Sequence, residues 1–339
     1  VFGLHAQRNL HLMERAQTLS HLSARLLEQL TALFRQERPD LILVQGDTTS
    51  VFAASLAAFY EGIAVGHVEA GLRTQDKRNP FPEELNRRVT SLVADLHFAP
   101  TQQARENLLR EQVDSRRIYV TGNTVIDALQ AIRGPARERA LREFPFLANG
   151  HRTILVTAHR RENHGAPLER ICRAVALLVQ EHPEIRVIWP VHPNPQVCRP
   201  VYDLLHGRER VHLLPALSYT SFIGVLDLCA LVLTDSGGVQ EEAPALGRPT
   251  LVLRDTTERP EGVMSGTVKL VGTEVETIIG ETSHLLSDEY AYRQMSLAAC
   301  PYGDGRAAER IVAAIRNHWG LDRAQPEAFC ATSATLAMA

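Results

Sequence analysis

Thr234-Asp235-Ser236-Gly237-Gly238-Val239-Gln240-Glu241-Glu242-Ala243-Pro244 lies between two apolar runs, Leu228–Leu233 and Pro249–Leu253. Each run reads as a buried parallel strand, and the segment up to Gly247 reads as the helix that joins them. A strand, a Ser-Gly-Gly turn and a helix start together make an anion site. Glycines without side chains let an oxygen-rich ligand approach the backbone, and unpaired N–H groups at the helix start point at it. Glu241 and Glu242, one turn in, can accept hydrogen bonds from sugar hydroxyls. A nucleoside diphosphate would satisfy these groups at once. A tight strand-to-helix turn whose acids complement the helix dipole accounts for the same residues.

Outward from this stretch, apolar strand-length runs alternate with helix-length segments. Strands are predicted at Leu41–Val44, Ala64–His67, Leu96–Phe98, Ile118–Val120, Thr153–Thr157, Arg186–Pro190, Val211–Leu213, Leu231–Thr234, Thr250–Leu253 and Val268–Leu270. Helical periodicity marks Leu19–Phe34, Val51–Tyr60, Leu168–Glu181 and Glu274–Leu286. Such alternation implies an α/β protein with parallel sheets and helices on both faces. The polar, broken stretch Ala131–His151 reads as a linker between two α/β halves, and ligands of such sheets bind beyond the strand C-termini. The expected domains are 1–135 and 150–300, with a C-terminal helix over 301–320 that packs back on the first domain. Residues 321–339 read as a disordered tail.

The chain has 339 residues, enough for two cores, with 45% apolar and 22% charged residues and a net charge of −3. That balance gives no reason to expect a nucleic-acid or membrane surface binder. No run approaches the length of a bilayer span, and no signal-like segment opens the chain. Cys172, Cys198, Cys229, Cys300 and Cys330 are scattered and odd in number, and read as reduced residues of a cytoplasmic protein. The histidines form no tight ligand pair of the HExxH kind, so no metal site is expected.

Several strand ends carry groups suited to chemistry. In Gln45-Gly46-Asp47-Thr48-Thr49-Ser50 the glycine permits a tight turn and Asp47 stands at the strand mouth; an ordinary N-cap is the alternative. His67-Val68-Glu69 sets Glu69 at the same edge, and Pro80-Phe81-Pro82-Glu83-Glu84 precedes Asn86-Arg87 on a helix. Converging carboxylates with separated pKa values can serve as acid and base, whereas helix-start acids are commonly solvated. Ala158-His159-Arg160-Arg161-Glu162-Asn163 suits a diphosphate leaving group, because arginine forks match phosphate oxygens and histidine can move a proton. Pro190-Val191-His192-Pro193-Asn194-Pro195 repeats the theme but also reads as a rigid turn. Arg254-Asp255-Thr256-Thr257-Glu258-Arg259-Pro260-Glu261 reads as a ligand-facing loop or a salt-bridged surface loop.

These segments, in this order, resemble the bacterial non-hydrolysing UDP-N-acetylglucosamine 2-epimerases. The resemblance runs from about Gln17 to Ala314 through GDTTS, GHVEAGLRT, FPEELNR, TGNTVIDAL, TAHRREN, PVHPNP, TDSGGVQEEAP, LRDTTERPE and PYGDG. It implies two Rossmann-like domains of glycosyltransferase-B type with the active site in the inter-domain cleft. It also implies interconversion of UDP-N-acetylglucosamine and UDP-N-acetylmannosamine for surface polysaccharides, by elimination of UDP and re-addition through a 2-acetamidoglucal. On that footing Asp47, Glu69 and Glu83 are the acid/base carboxylates and His159 serves the UDP leaving group. Ser236, Gly237 and Gly238 hold the diphosphate, Glu242 the ribose, and Arg259 a phosphate or sugar group. No cofactor is implied, and a homodimer is expected. Gln17, Arg160 and His192 match positions of a second, allosteric UDP-N-acetylglucosamine site in some members, although Glu14-Arg15-Ala16 departs from the usual local pattern.

The family opens with a strand and a Gly-Thr-Arg-Pro-Glu turn that contributes an arginine and a nearby lysine toward the nucleotide. This chain contains no such motif. The expectation is a first domain N-terminally incomplete, with a raw sheet edge and weakened or absent activity. The competing readings are a sugar transferase on the same fold, a hydrolysing epimerase that releases free sugar, and a UDP-sugar-binding fragment without turnover.

Overall fold

A computed structural model describes residues 1–14, 17–74, 76–78 and 80–331. The chain divides into two compact units, one of Val1–Thr124 with Arg306–Phe329 and one built on Val125–Gly305. The first unit runs α1 (Leu19–Glu37), β1 (Leu41–Gln45), α2 (Thr49–Tyr60), β2 (Ala64–Val68), α3 (Glu83–Val93), β3 (Leu96–Ala99), α4 (Gln102–Arg110) and β4 (Ile118–Val120). The second begins with α5 (Thr124–Glu143), β5 (Arg152–Thr157), α6 (Ala166–Glu181), β6 (Ile185–Pro190), α7 (Pro195–Leu205) and β7 (Val211–Leu214). It continues through α8 (Tyr219–Leu228), β8 (Leu231–Thr234), α9 (Val239–Ala245), β9 (Thr250–Val252), α10 (Pro260–Met264), β10 (Val268–Leu270), α11 (Val275–Ser287) and α12 (Glu289–Ser296). The final helix, α13 (Ala307–His318), returns to the first unit.

All strand pairs are parallel. The first sheet has the order β1-β2-β3-β4 and the second β10-β9-β8-β5-β6-β7. In the second sheet the chain adds β6 and β7 on one side of β5, then crosses back to lay β8 on the other. The order therefore reverses between β5 and β8, the place where ligands of open parallel sheets bind beyond the strand C-termini. The strands are apolar on both faces because helices cover both: Ile154, Val156 and Leu233 pack in one cluster with α6, while Leu155 and Val232 join α5 and α8 in another. In the first sheet Val44 and Val65 meet α1 and α2, and Val68, Leu96 and Phe98 meet Ile311 and Ala314 of α13. β1 stands at the edge of its sheet, with Leu43 53% exposed.

All the predicted strands are present, with ends shifted by one residue at most. Two expectations are corrected. The stretch 131–151 is helical as far as Glu143, with Pro135 inside the helix, followed by a short 3-10 turn at Pro145–Ala148. Ile132, Ala136 and Ala140 of that helix are buried against α8, so helical spacing of apolar groups outweighed the Gly-Pro pair. The segment after Gly320 is not a disordered tail through residue 331. Phe329 is buried under the Arg310 guanidinium, and its N–H donates to Val120 O at 2.8 Å. Residues 332–339 lie outside the described residues.

α8 approaches α5 so closely at Gly224 that an added Cβ would collide with the Ala136 carbonyl and press on the Ala140 methyl. Gly224→Ala is therefore expected to destabilise the protein by about 1–3 kcal/mol, read as a lower urea midpoint with an unchanged slope.

Candidate functional site

In the second unit the site grows from the pairing of β5 with β8. Their register sets Thr157 beside Thr234, and the Asp235 N–H donates to Thr157 O at 3.0 Å. The two hydroxyls meet at 2.6 Å, and Thr234 Oγ1 also accepts from Ser236 N at 3.0 Å, which closes the turn. Asp235 itself is fully buried. Its carboxylate accepts from the backbone N–H of His159 at 2.9 Å, from that of Arg160 at 2.8 Å, and from Asn163 Nδ2 at 3.0 Å. Asn163 also donates to Leu253 O at 3.1 Å and so ties the β9 end into the same knot. One buried carboxylate thus fixes the His159 loop beside the Ser236-Gly237-Gly238 turn.

The His159 ring is half-buried, with Nδ1 3.4 Å from Asp235 Oδ1 and its face stacked on His192 at 5.6 Å. Burial lowers its pKa, Asp235 opposes that, and Arg160 and His192 lower it further. Arg160 reaches Glu258 at 3.5 Å. His159, Arg160 and His192 therefore share one patch. Gln17 belongs to the first unit, where its Oε1 accepts from Glu14 N at 2.9 Å; Arg15 and Ala16 lie outside the described residues.

The two glycines of the turn differ. A Cβ on Gly237 would lie 2.7 Å from Arg259 Nη1 and 2.8 Å from Glu258 Oε1, so a side chain there would displace the ends of that ion pair. A Cβ on exposed Gly238 would meet nothing within 4 Å, so the bare backbone there faces open space. Arg259 pairs with buried Glu241 and, at 2.9 Å, with Glu258. Burial would raise Glu258, yet Arg259 and Arg254 hold its pKa near 2. The neighbouring acid has a different environment. Glu242, 6% exposed, accepts from Tyr219 Oη at 2.9 Å; burial raises its pKa to about 7 against the Tyr219 hydrogen bond, and Glu241 adds to the rise.

In the first unit, Gly46 turns the chain after β1 with φ +77° and donates to Val68 O at 3.1 Å. Asp47 follows. Its carboxylate meets Arg87 Nη2 at 2.5 Å, and its carbonyl accepts from Asn86 Nδ2 at 2.9 Å, so α3 clamps it from both ends. Glu69 sits after β2 with φ +65°, and its Oε2 lies 3.5 Å from where a Cβ on Gly46 would stand. Asp47 and Glu69 are thus neighbours. Glu83 opens α3, one turn before Arg87, on the helix that grips Asp47. Beneath them buried His67 donates from Nε2 to Gly46 O at 2.8 Å, and burial lowers its pKa to about 4, so it is a neutral strut.

Sequence reading missed the roles of Asp235, Arg87, His67, Glu84 and Tyr219. Asp235 directly follows a strand inside the quoted stretch, and its acid at a strand end was the available signal. Glu84 is fully buried and braces Arg87 and Arg88, which a helix-start acid does not suggest. Tyr219 reaches Glu242 only through tertiary packing.

The UDP-N-acetylglucosamine 2-epimerase family model matches residues 1–316. The chain belongs to this family. The Yersinia pestis UDP-N-acetylglucosamine 2-epimerase is 49% identical over 324 residues, covering 94% of this chain and 86% of the relative. Its Bacillus subtilis counterpart is 48% identical, covering 97% and 86%. The crystal structure of the Neisseria meningitidis UDP-GlcNAc 2-epimerase bound to UDP-GlcNAc has a TM-score of 0.87 and 44% identity, over 92% of this chain and 85% of that one. Like other members of the epimerase family, the chain is an α/β protein with two parallel sheets. Among its described residues no helix is long and apolar enough to cross a membrane.

Asp235→Ala is expected to leave the backbone N–H groups of His159 and Arg160 without their carboxylate acceptor and to remove one of the two acceptors of the Asn163 amide. The expected loss is about 3 kcal/mol of stability in urea unfolding, well above the effect of an exposed Asp→Ala change.

Proposed function

We propose that this chain is a non-hydrolysing epimerase that interconverts UDP-N-acetylglucosamine and UDP-N-acetylmannosamine at C2 of the sugar. Within the family assignment, the observation that carries this reading is the pairing of Asp47 and Glu69 at adjacent strand ends, with Glu83 on the helix that clamps Asp47. Proton removal from carbon and its return on the opposite face need groups that can change roles, and carboxylates in unlike environments supply them. One carboxylate removes the C2 proton as the C1–oxygen bond breaks and UDP departs, leaving a 2-acetamidoglucal. A proton then returns to the other face of C2, and a UDP oxygen re-forms the bond to C1. No net redox change occurs.

In this reading the Ser236-Gly237-Gly238 turn receives the diphosphate, with the open space at Gly238 as its approach. Glu242 accepts from the ribose hydroxyls, and Arg259 orders the turn from behind while serving a phosphate or sugar oxygen. His159, fixed by Asp235, donates to the departing UDP. Gln17, Arg160 and His192 are proposed contacts for a second UDP-sugar. A homodimer in the cytoplasm completes the proposal.

The test is incubation of either UDP-sugar in D₂O. The expected outcome is deuterium at C2 together with the other epimer, and Glu69→Gln is expected to slow exchange by roughly 10²- to 10⁴-fold. Free N-acetylmannosamine would instead indicate a hydrolase. UDP binding with no exchange would indicate a binding protein, and transfer only with an added acceptor would indicate a transferase.

A further inference from the structure

Glu241 and Glu242 are adjacent, buried and differently served. Glu241 is drawn to the Arg259 guanidinium. Glu242 receives a phenol: Tyr219 Oη donates to Oε1 at 2.9 Å. Among the described residues no donor meets Glu242 Oε2. A buried carboxylate with one oxygen held and the other unserved is suited to accept from hydroxyls supplied by a ligand. Tyr219 is itself delivered rigidly. It is the first residue of α8, and Ser218 caps that helix by accepting from Ser221 N at 3.2 Å. Burial, and then Glu242, raise the Tyr219 pKa, so the phenol stays a donor across the neutral range.

We propose that Tyr219 is a positioning residue that holds the Glu242 carboxylate aimed at the ribose hydroxyls and favours its acceptor form, so that ribose recognition depends on the phenol O–H. The proposal rests on the reading of Glu242 as the ribose contact. The groups that face Glu242 are Tyr219 from α8 and Glu241 from its own helix, and neither is a cation. Burial lifts Glu242 to about 7, the Tyr219 hydrogen bond holds it down, and Glu241 pushes it up. The ionised form is the full acceptor, so ribose recognition is complete above the Glu242 pKa and is lost as pH falls through it. Removing the phenol O–H takes away the interaction that favours the ionised form, which moves the midpoint to higher pH.

The experiment is titration calorimetry of UDP and of 2′,3′-dideoxy-UDP between about pH 6 and pH 9, using the full chain and its Tyr219→Phe and Glu242→Gln variants. The dideoxy ligand carries the same base and diphosphate, so the ratio of the two Kd values cancels the titration of phosphate and of His159. For the unsubstituted chain the preference for UDP is expected to rise through about pH 7 and then level off. In Tyr219→Phe the preference at pH 7 should fall about three- to tenfold, with its rise displaced to higher pH. In Glu242→Gln it should be small and flat. A Tyr219→Phe variant with the unsubstituted ratio and midpoint overturns the role of Tyr219, while a weak Glu242→Gln leaves the ribose reading standing. A Tyr219→Phe loss that is equal for both ligands at every pH marks a merely structural role and also overturns the proposal. An unchanged preference in Glu242→Gln overturns the ribose reading itself.

Discussion

The second unit depends on one buried carboxylate. Asp235 directly follows β8, has no access to water, and lies where two loops far apart in sequence must meet. An ionised group in that place is costly unless several donors surround it. The donors are the backbone N–H groups of His159 and Arg160 and the side chain of Asn163, all from the loop after β5. Satisfying Asp235 therefore dictates where the His159 ring stands relative to the glycine turn. The parallel register of β5 and β8 makes this geometry available, at the point where the strand order reverses.

The first unit solves a related problem with opposite charges. Asp47 is held by Arg87, and Arg87 is held in turn by Glu84, which carries Arg88 as well. A chain of alternating charges, closed off from water at Glu84 and Arg87, presents Asp47 beside Glu69 at the sheet edge. His67 supports the Gly46 turn from below without bringing a charge of its own. In both units several of the groups assigned to chemistry, Asp47, Glu69, His159 and Ser236, stand just after strands. The groups that place them are buried partners contributed by other elements.

This division explains how much of the protein can be read from its sequence. Strands announce themselves as apolar runs because both sheet faces are covered, and strand-end residues such as Asp47, Glu69, His159 and Ser236 follow directly from locating them. Arg87, Glu84 and Tyr219 act through contacts across the fold, and helix periodicity alone does not reveal their partners. The 131–151 stretch shows the converse error. A Gly-Pro pair signalled a break, but Ile132, Ala136 and Ala140 bury one continuous helical face. The return of Phe329 to Val120 was equally hidden, because a single buried aromatic in a segment without a helix or strand carries no period.

The central claim is that the knot around Asp235 builds the wall that receives UDP. A crystal structure of the chain with UDP tests it most directly. The account predicts the diphosphate against the Ser236-Gly237-Gly238 backbone beside His159, and the ribose hydroxyls on Glu242 Oε2. A nucleotide bound away from that turn, or one whose ribose avoids Glu242, would contradict it.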